Sequence, residues 1–408
     1  MMVKKQNSTD QLNAISAQSY LVRGGYQRTH YQETNEAIFM NSGFVYENAE
    51  QAEAAFKGET NNYIYSRYAN PIISVFEKKM ARLEGGVNGG EIGCIATATG
   101  MAAVYAALAC SLKSGDRIVA AKQLFYSCYY ILSDLLPRFG VKVDFVDGTD
   151  LNAWEEALST PANIVFFETP TNPMLDILDI KAISTLAHQA GAIVMLDNVF
   201  ATPCYQRPFD FGVDVITYSA TKHIDGQGRA LGGAILGSKD FIEDHLRPFV
   251  RHTGPGLSPF NAWLLEKGLE TLHVRVDAMS KSASKVAQFL ESCAQLQRLS
   301  YPGLKSHPQH ELAASQMTGF STLIAFTLRD DTKQAAFTLL NRLKMIDISN
   351  NFGDAKSLIT HPATTTHSKL SDAEKQRQGI SDGTLRLSIG LERADDVIND
   401  LSQALIFS

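Results

Sequence analysis

From about residue 90 to residue 240, short β-branched runs alternate with helix-length segments, which is the pattern of βαβ units around a mostly parallel sheet. Arg117–Ala120, Val141–Val146, Ile164–Phe167, Ile193–Leu196, Val213–Tyr218 and Gly233–Leu236 are the predicted strands; Met101–Leu112, Tyr130–Arg138 and Ile180–Gln189 are the predicted helices. Gly140 and Gly191 follow two of those helices, where left-handed caps are expected. The first 60 residues, rich in Gln, Asn and Glu, lack a strand pattern and read as an arm that packs on something else. Beyond Gly254-Pro255-Gly256 the pattern changes to a long helical stretch, Pro259–Ser292, then a strand at Ser321–Leu328 and helices at Gln334–Leu343 and Ala394–Leu405. The polar run Thr364–Gly383 predicts a loop with one short helix, opened by the capping box Ser371-x-x-Glu374. The expected organisation is therefore an arm (1–60), an α/β domain (61–256) and a smaller α+β domain (257–408).

Ile92–Leu112 is uncharged throughout and long enough to be tested as a membrane span. Its Thr, Gly and Ala content is too weakly apolar for that role, and a strand, a tight turn and a buried helix are expected instead. The chain has 408 residues, 45% hydrophobic and 20% charged, enough for a large core without staples. Lys plus Arg number 37 against 43 Asp plus Glu, a net charge of -6, which gives no footprint for nucleic acid. Five cysteines without a C-x-x-C pair argue against disulfides and zinc and fit a reducing cytoplasm; no signal-peptide core opens the chain.

In parallel α/β sheets ligands collect at the carboxyl ends of strands. Here those ends carry Glu168-Thr-Pro-Thr-Asn172-Pro173, Asp197-Asn198 and Ser219-Ala-Thr221-Lys222-His223. A lysine amine, a carboxylate on a neighbouring strand and adjacent hydroxyls meet the needs of pyridoxal phosphate: an amine for the aldehyde, an anion to keep the pyridine nitrogen protonated, and donors for the phosphate. Gly100-Met101, at the start of a predicted helix, adds backbone N–H groups and a favourable dipole for that phosphate.

The segments Tyr65-Ser-Arg67-Tyr-Ala-Asn-Pro71, Ala98-Thr-Gly100-Met101, Glu168-Thr-Pro-Thr-Asn172-Pro173, Asp197-Asn198-Val-Phe200 and Tyr218-Ser219-Ala-Thr-Lys222 resemble, in order, the motifs of cystathionine γ-synthase and its relatives. The likeness spans nearly the whole chain. Lys222-His-Ile-Asp225-Gly-Gln-Gly-Arg229 and the Ser349–His367 segment look most like the O-succinylhomoserine sulfhydrylase branch. The resemblance implies the fold type I architecture of pyridoxal-phosphate aminotransferases, with a mostly parallel seven-stranded sheet in the large domain. It makes Lys222 the Schiff-base lysine, Asp197 the partner of the pyridine nitrogen, and Asn172 a donor to the ring's phenolic oxygen. Gly100, Met101, Ser219 and Thr221 become phosphate ligands. Tyr65 and Arg67 reach the phosphate of a neighbouring subunit, so that active sites are shared within a homotetramer, and Tyr65 also faces substrate. Arg386 matches the arginine that holds the substrate's α-carboxylate.

Two positions depart from the wider family. Phe125 stands where most relatives place a tyrosine over the ring; it stacks but exchanges no proton. Asn350-Asn351 replaces a Glu-Ser pair, removing a charge near substrate and favouring hydrosulfide over cysteine as the second reactant, with Asn351 on the substrate side. The expected reaction is γ-replacement on O-succinylhomoserine by sulfide; acetylhomoserine sulfhydrylase, cystathionine γ-synthase, methionine γ-lyase and a non-enzymatic cofactor sensor are the alternatives. Ser219-x-x-Lys222 also fits the opening motif of penicillin-binding serine hydrolases, but its partner motifs are missing. His307-x-x-His310 and His361 with His367 are expected to be solvated loop residues, with no metal.

Overall fold

The computed structural model describes residues 15–26, 28–86 and 91–406. Seven strands form the larger sheet: β1 (Ile92–Thr97), β2 (Arg117–Ala121), β3 (Lys142–Val146), β4 (Ile164–Glu168), β5 (Ile193–Asp197), β6 (Val215–Ser219) and β7 (Gly233–Ser238), in the order β1-β7-β6-β5-β4-β2-β3. Only β7 runs against its neighbours, so the carboxyl ends of β1, β4, β5 and β6 share one edge. Alternate side chains feed opposite faces: Val165, Phe167, Val194 and Leu196 enter one core layer, and Ile164, Phe166, Met195 and Val215 the other. Burial on both faces explains why these strands read as continuous apolar runs rather than alternating ones.

The uncharged stretch from Ile92 resolves into β1, a turn and the helix Gly100–Ala109, capped by the Thr99 hydroxyl, which accepts from the Ala102 N–H at 3.0 Å. No helix among the described residues is long and apolar enough to cross a membrane. Gly140 and Gly191 adopt the expected left-handed conformation, with φ of 83° and 77°. The helix expected at Tyr130–Arg138 differs from its pattern. It begins one turn earlier, at Tyr126, widens into a π turn over Ile131–Leu135 and tightens to 3₁₀ over Leu136–Phe139. Pro137 lacks the N–H that an α-helical continuation needs.

The stretch predicted as one helix from Pro259 to Ser292 is two, Pro259–Glu270 and Leu272–Glu291, broken at Thr271. Arg275 fills the break. Its guanidinium donates to the Gly268 carbonyl at 2.7 Å, and across to the carbonyls of His223 at 2.8 Å and Ile224 at 3.2 Å. Gly268 has no side chain because the Ile224 carbonyl would lie 2.1 Å from a Cβ there. The loop after β6, which carries Lys222, is thereby fastened to the helix pair. The helix Leu272–Glu291 has Val276 in the first core and Ala283 to Leu290 in a second one, beneath a five-stranded sheet. That sheet comprises β8 (Leu296–Ser300), β9 (Leu323–Leu328), β10 (Asp347–Ile348), β11 (Leu358–Thr360) and β12 (Thr384–Ser388), in the order β10-β11-β12-β9-β8. The capping box at Ser371 and Glu374 forms and opens the helix Asp372–Arg377.

The arm is partly helical, with Ala17–Arg23 and Ala49–Phe56 both opened by side-chain caps, Ser16 and Asn48. Further along it, Glu36 is buried beside Lys79 and Lys267, and Lys79 pairs with Glu266 inside the first core. The arm is thus held to two helices of its own chain by charge as well as by packing.

Replacing Arg275 with Ala would leave the His223 and Ile224 carbonyls without a donor, at about 1–3 kcal/mol each. The expected outcome is a drop in melting temperature together with weakened cofactor retention; a variant melting like the parent would remove the clamp from the account.

Candidate active site

Register builds one side of the site. Thr97 at the end of β1 and Ser219 at the end of β6 both lie opposite Gly233 on β7. This brings the first turn of the helix Gly100–Ala109 against Ser219. A Cβ on Gly100 would lie 2.5 Å from the Ser219 Cβ, and one on Gly233 2.3 Å from the Thr99 carbonyl, so both positions must be glycine. The Gly254-Pro255-Gly256 turn closes this corner, with the Ala98 N–H donating to the Pro255 carbonyl at 2.8 Å.

Register also builds the opposite side. Glu168, ending β4, pairs with Asp197, ending β5. The Phe125 N–H donates to Glu168 Oε2 at 3.1 Å, while Oε1 is buried without a partner. Asp197 Oδ1 accepts from the Val199 N–H at 3.1 Å. Burial pushes Asp197 up to about 7, only partly offset by that N–H. Burial first, and then the Asp197 charge beside it, push Glu168 well above the usual carboxylate range.

Between the two sides lies a cavity of about 230 Å³. Gly100, Met101, Phe125, Asn172, Asp197, Ser219, Thr221, Lys222 and Arg386 all line it, so the sequence places nine of its expected residues in one chamber. Lys222 donates to the Asn351 Oδ1 at 2.5 Å and sits 4.7 Å from the centre of the Phe352 ring. Burial first, then repulsion from Arg386, lower its pKa to about 8. Arg386 is 2% exposed and donates to Asn172 Oδ1 and to the Asn350 carbonyl, each at 2.8 Å. With Asn172 Oδ1 accepting from Arg386, its amide N–H₂ remains available as a donor.

Tyr65 and Arg67 are not in this chamber. Arg67 donates to the Arg251 carbonyl and lies over the rings of Tyr65 and Tyr68, outside the cavity of its own chain. Asn351 lines the mouth rather than the floor, together with Lys222, Arg229 and Leu231. Three histidines expected in solvent are instead buried: His307, His361 and His367. The polar loop that carries the last two folds inward. His361 bonds Thr364 and the Asp382 carbonyl, and Thr366 reaches the cavity wall beside His367. Burial, with Arg386 adding to it, lowers His367 to about 3, leaving it neutral. The pattern of the chain also gave no sign of Phe200 and Phe352, which pack edge to face under the Arg386 guanidinium at 5.8 and 5.1 Å from the ring centres. Each lies inside a motif segment, at Asp197-Asn-Val-Phe200 and Asn351-Phe352-Gly353, and that position was the available signal.

A family described as Cys/Met metabolism PLP-dependent enzymes matches residues 18–406. The chain belongs to that family. An O-succinylhomoserine sulfhydrylase from Mycobacterium tuberculosis (strain ATCC 25618 / H37Rv) is 51% identical over 96% of both chains. One from Pseudomonas aeruginosa is 40% identical over 97% of this chain and 96% of its own. A solved structure from Campylobacter jejuni, named as an O-acetylhomoserine (thiol)-lyase and holding a pyridoxyl-lysine monophosphate, superposes with a TM-score of 0.90 at 34% identity, covering 96% of this chain and all of that one. The architecture is fold type I, and the enzyme depends on pyridoxal phosphate. The family's cofactor fits the donor set of this chamber: a glycine-opened helix terminus with two hydroxyls for a phosphate, a buried acid for a ring nitrogen, and an amine.

Gly100→Ala is expected to raise the cofactor dissociation constant at least about tenfold, measured by equilibrium dialysis, because the added methyl drives the helix terminus from Ser219. A second expectation concerns pH. The neutral amine is the nucleophile, so after cofactor removal the rate of recapture, followed by absorbance, should rise with pH and level off above about 8. A flat profile would show that Lys222 is not the capturing group.

Proposed function

We propose that this enzyme carries out a γ-replacement, converting O-succinylhomoserine and sulfide to homocysteine and succinate in the cytoplasm. The observation that carries the reading is the match to O-succinylhomoserine sulfhydrylases along nearly the whole chain, joined to an uncharged Asn350-Asn351 pair at the substrate side of Lys222. A carboxylate there would suit a second amino acid with its own ammonium; two amides suit a small anion such as hydrosulfide.

Pyridoxal phosphate supplies an electron sink for the carbon next to the substrate's amino group. Asp197 would hold the ring nitrogen's proton by its charge. Ser219, Thr221 and the N–H groups of Gly100 and Met101 would hold the phosphate, and Phe125 would offer a ring for stacking. Arg386 takes the substrate's α-carboxylate; its rigidity comes from Asn172 and the Asn350 carbonyl. Lys222 would take the α-proton, move a second proton from the β-carbon, and return both after the exchange at the γ-carbon. There the bond to the succinate oxygen breaks and a bond to sulfur forms. A lysine lowered to about 8 suits this role, because it accepts and gives back a proton near neutrality.

Tyr65 and Arg67 serve the phosphate of a neighbouring subunit in this reading, within a homotetramer of shared sites. Their position outside their own cavity supports it, as do the exposed apolar side chains Tyr31, Met40, Val45 and Phe56 along the arm.

Initial rates with succinyl-, acetyl- and phosphohomoserine, each with sulfide or cysteine, test the assignment. Succinylhomoserine with sulfide should give the highest kcat/KM, and preference for any other pair would replace the reading. Lys222→Ala should lose turnover by at least about 10³-fold, as expected for loss of a proton-transfer base. Hybrids of Arg67→Ala with Lys222→Ala chains should regain part of the activity that each homo-oligomer lacks; hybrids as inactive as their parents would exclude shared sites.

A further inference from the structure

The main chamber opens past Lys222 to a second hollow. Thr221, Lys222, Leu231 and Asn350 line both, so the two are continuous, and the outer one adds Arg229 and Asn351. Arg386 lies in the inner chamber only. A substrate whose α-carboxylate is held by Arg386 and whose amino group reaches the Lys222 position has two neighbouring hollows for a long γ-substituent: one shares Phe125, Asn350 and Thr366 with the chamber and is lined by no cation, and the other, past Lys222, is lined by Arg229.

Arg229 is held in place. Its backbone N–H donates to Asp225 Oδ2 at 2.6 Å, Nε to Oδ1 at 3.0 Å, and Nη2 to the Asp225 carbonyl at 3.2 Å. Asp225 is fully buried, whereas the Arg229 side chain is 32% exposed. The turn between them needs glycine twice. A Cβ on Gly226 would meet the Arg275 guanidinium at 1.8 Å, and one on Gly228 the Asp354 carboxylate at 2.6 Å. Both residues have φ of 65°. The Gly226 carbonyl is fixed in turn by the Ala355 N–H at 2.8 Å. A guanidinium carries five N–H donors in a planar fork. Asp225 takes the Nε and Nη2 edge, and the Arg229 side chain lines the hollow.

Resting on the reading that the substrate is an O-acylhomoserine, we propose that Arg229 is the specificity residue that binds the distal carboxylate of a dicarboxylic acyl group. The pair with Asp225 fixes the guanidinium before substrate arrives, so little side-chain freedom is lost on binding. A two-point contact between guanidinium and carboxylate distinguishes a succinyl ester from an acetyl ester, which has no charge to place there. The neighbouring Asn351 amide and the exposed Leu231 complete a rim of mixed polarity.

The test compares holoenzyme with its Arg229→Gln and Arg229→Lys variants in two measurements. Steady-state kinetics with sulfide should show the ratio of kcat/KM for succinyl- over acetylhomoserine falling at least about tenfold in Arg229→Gln, with a smaller fall in Arg229→Lys. Calorimetric binding of the corresponding γ-amides, which lack a good leaving group, should show the same fall in the succinyl-over-acetyl affinity ratio. An unchanged ratio in both variants overturns the inference while leaving the proposed reaction intact. A wild-type enzyme that binds the succinyl amide through Arg229 without turning over the ester overturns the reaction and leaves the inference standing. If Arg229→Gln loses cofactor or folds poorly, Arg229→Lys decides: a fall in the succinyl-over-acetyl ratio supports the contact, and a parental ratio overturns it.

Discussion

Two carboxylates, an amine and a guanidinium share one buried chamber, and none of the four could be there alone. Removing a single charge from water costs several kcal/mol even after relaxation, which mutual attraction and hydrogen bonds must offset. Arg386 remains charged at 2% exposure because Asn172, the Asn350 carbonyl and the Glu168 field surround it. Burial raises both Glu168 and Asp197 at the paired strand ends, and the Asp197 charge adds to the rise of Glu168. Lys222, burdened by the same positive field, is left close to neutrality. The reactivity of the site follows from this balance: Asp197 and Lys222 are shifted toward the range in which a proton can be exchanged, while Arg386 stays a fixed cation.

The sheet supplies the geometry for that balance without contributing chemistry of its own. The edge shared by β1, β4, β5 and β6 collects residues far apart in the chain, and two glycines, Gly100 and Gly233, let backbone approach where a side chain would hold the walls apart. The acids pair because β4 and β5 are in register at their last residues.

Much of this was legible in the chain. Strands buried on both faces give unbroken apolar runs, and Asp197, Asn172, Ser219 and Lys222 follow such runs directly, so their place on one rim could be read from position alone. What could not be read lies where distant segments meet. The break at Thr271 depends on Arg275 bonding to a loop some fifty residues earlier, and local helical periodicity carries no trace of it. His361 and His367 sit in a polar run whose composition suggests solvent, and only the inward fold of that run over Arg386 makes them interior residues. Phe352, the floor beneath the amine, comes from the second sheet's side of the molecule and is one apolar residue in a polar segment.

The helix Leu272–Glu291 ties both cores to the loop that carries the amine. One end is embedded in the core of the large sheet, the other in that of the small one, and Arg275 grips the peptide carbonyls immediately after Lys222. The loop that carries the nucleophile is therefore fastened to a helix that both cores share, so that the placement of Lys222 draws on the packing beneath both sheets.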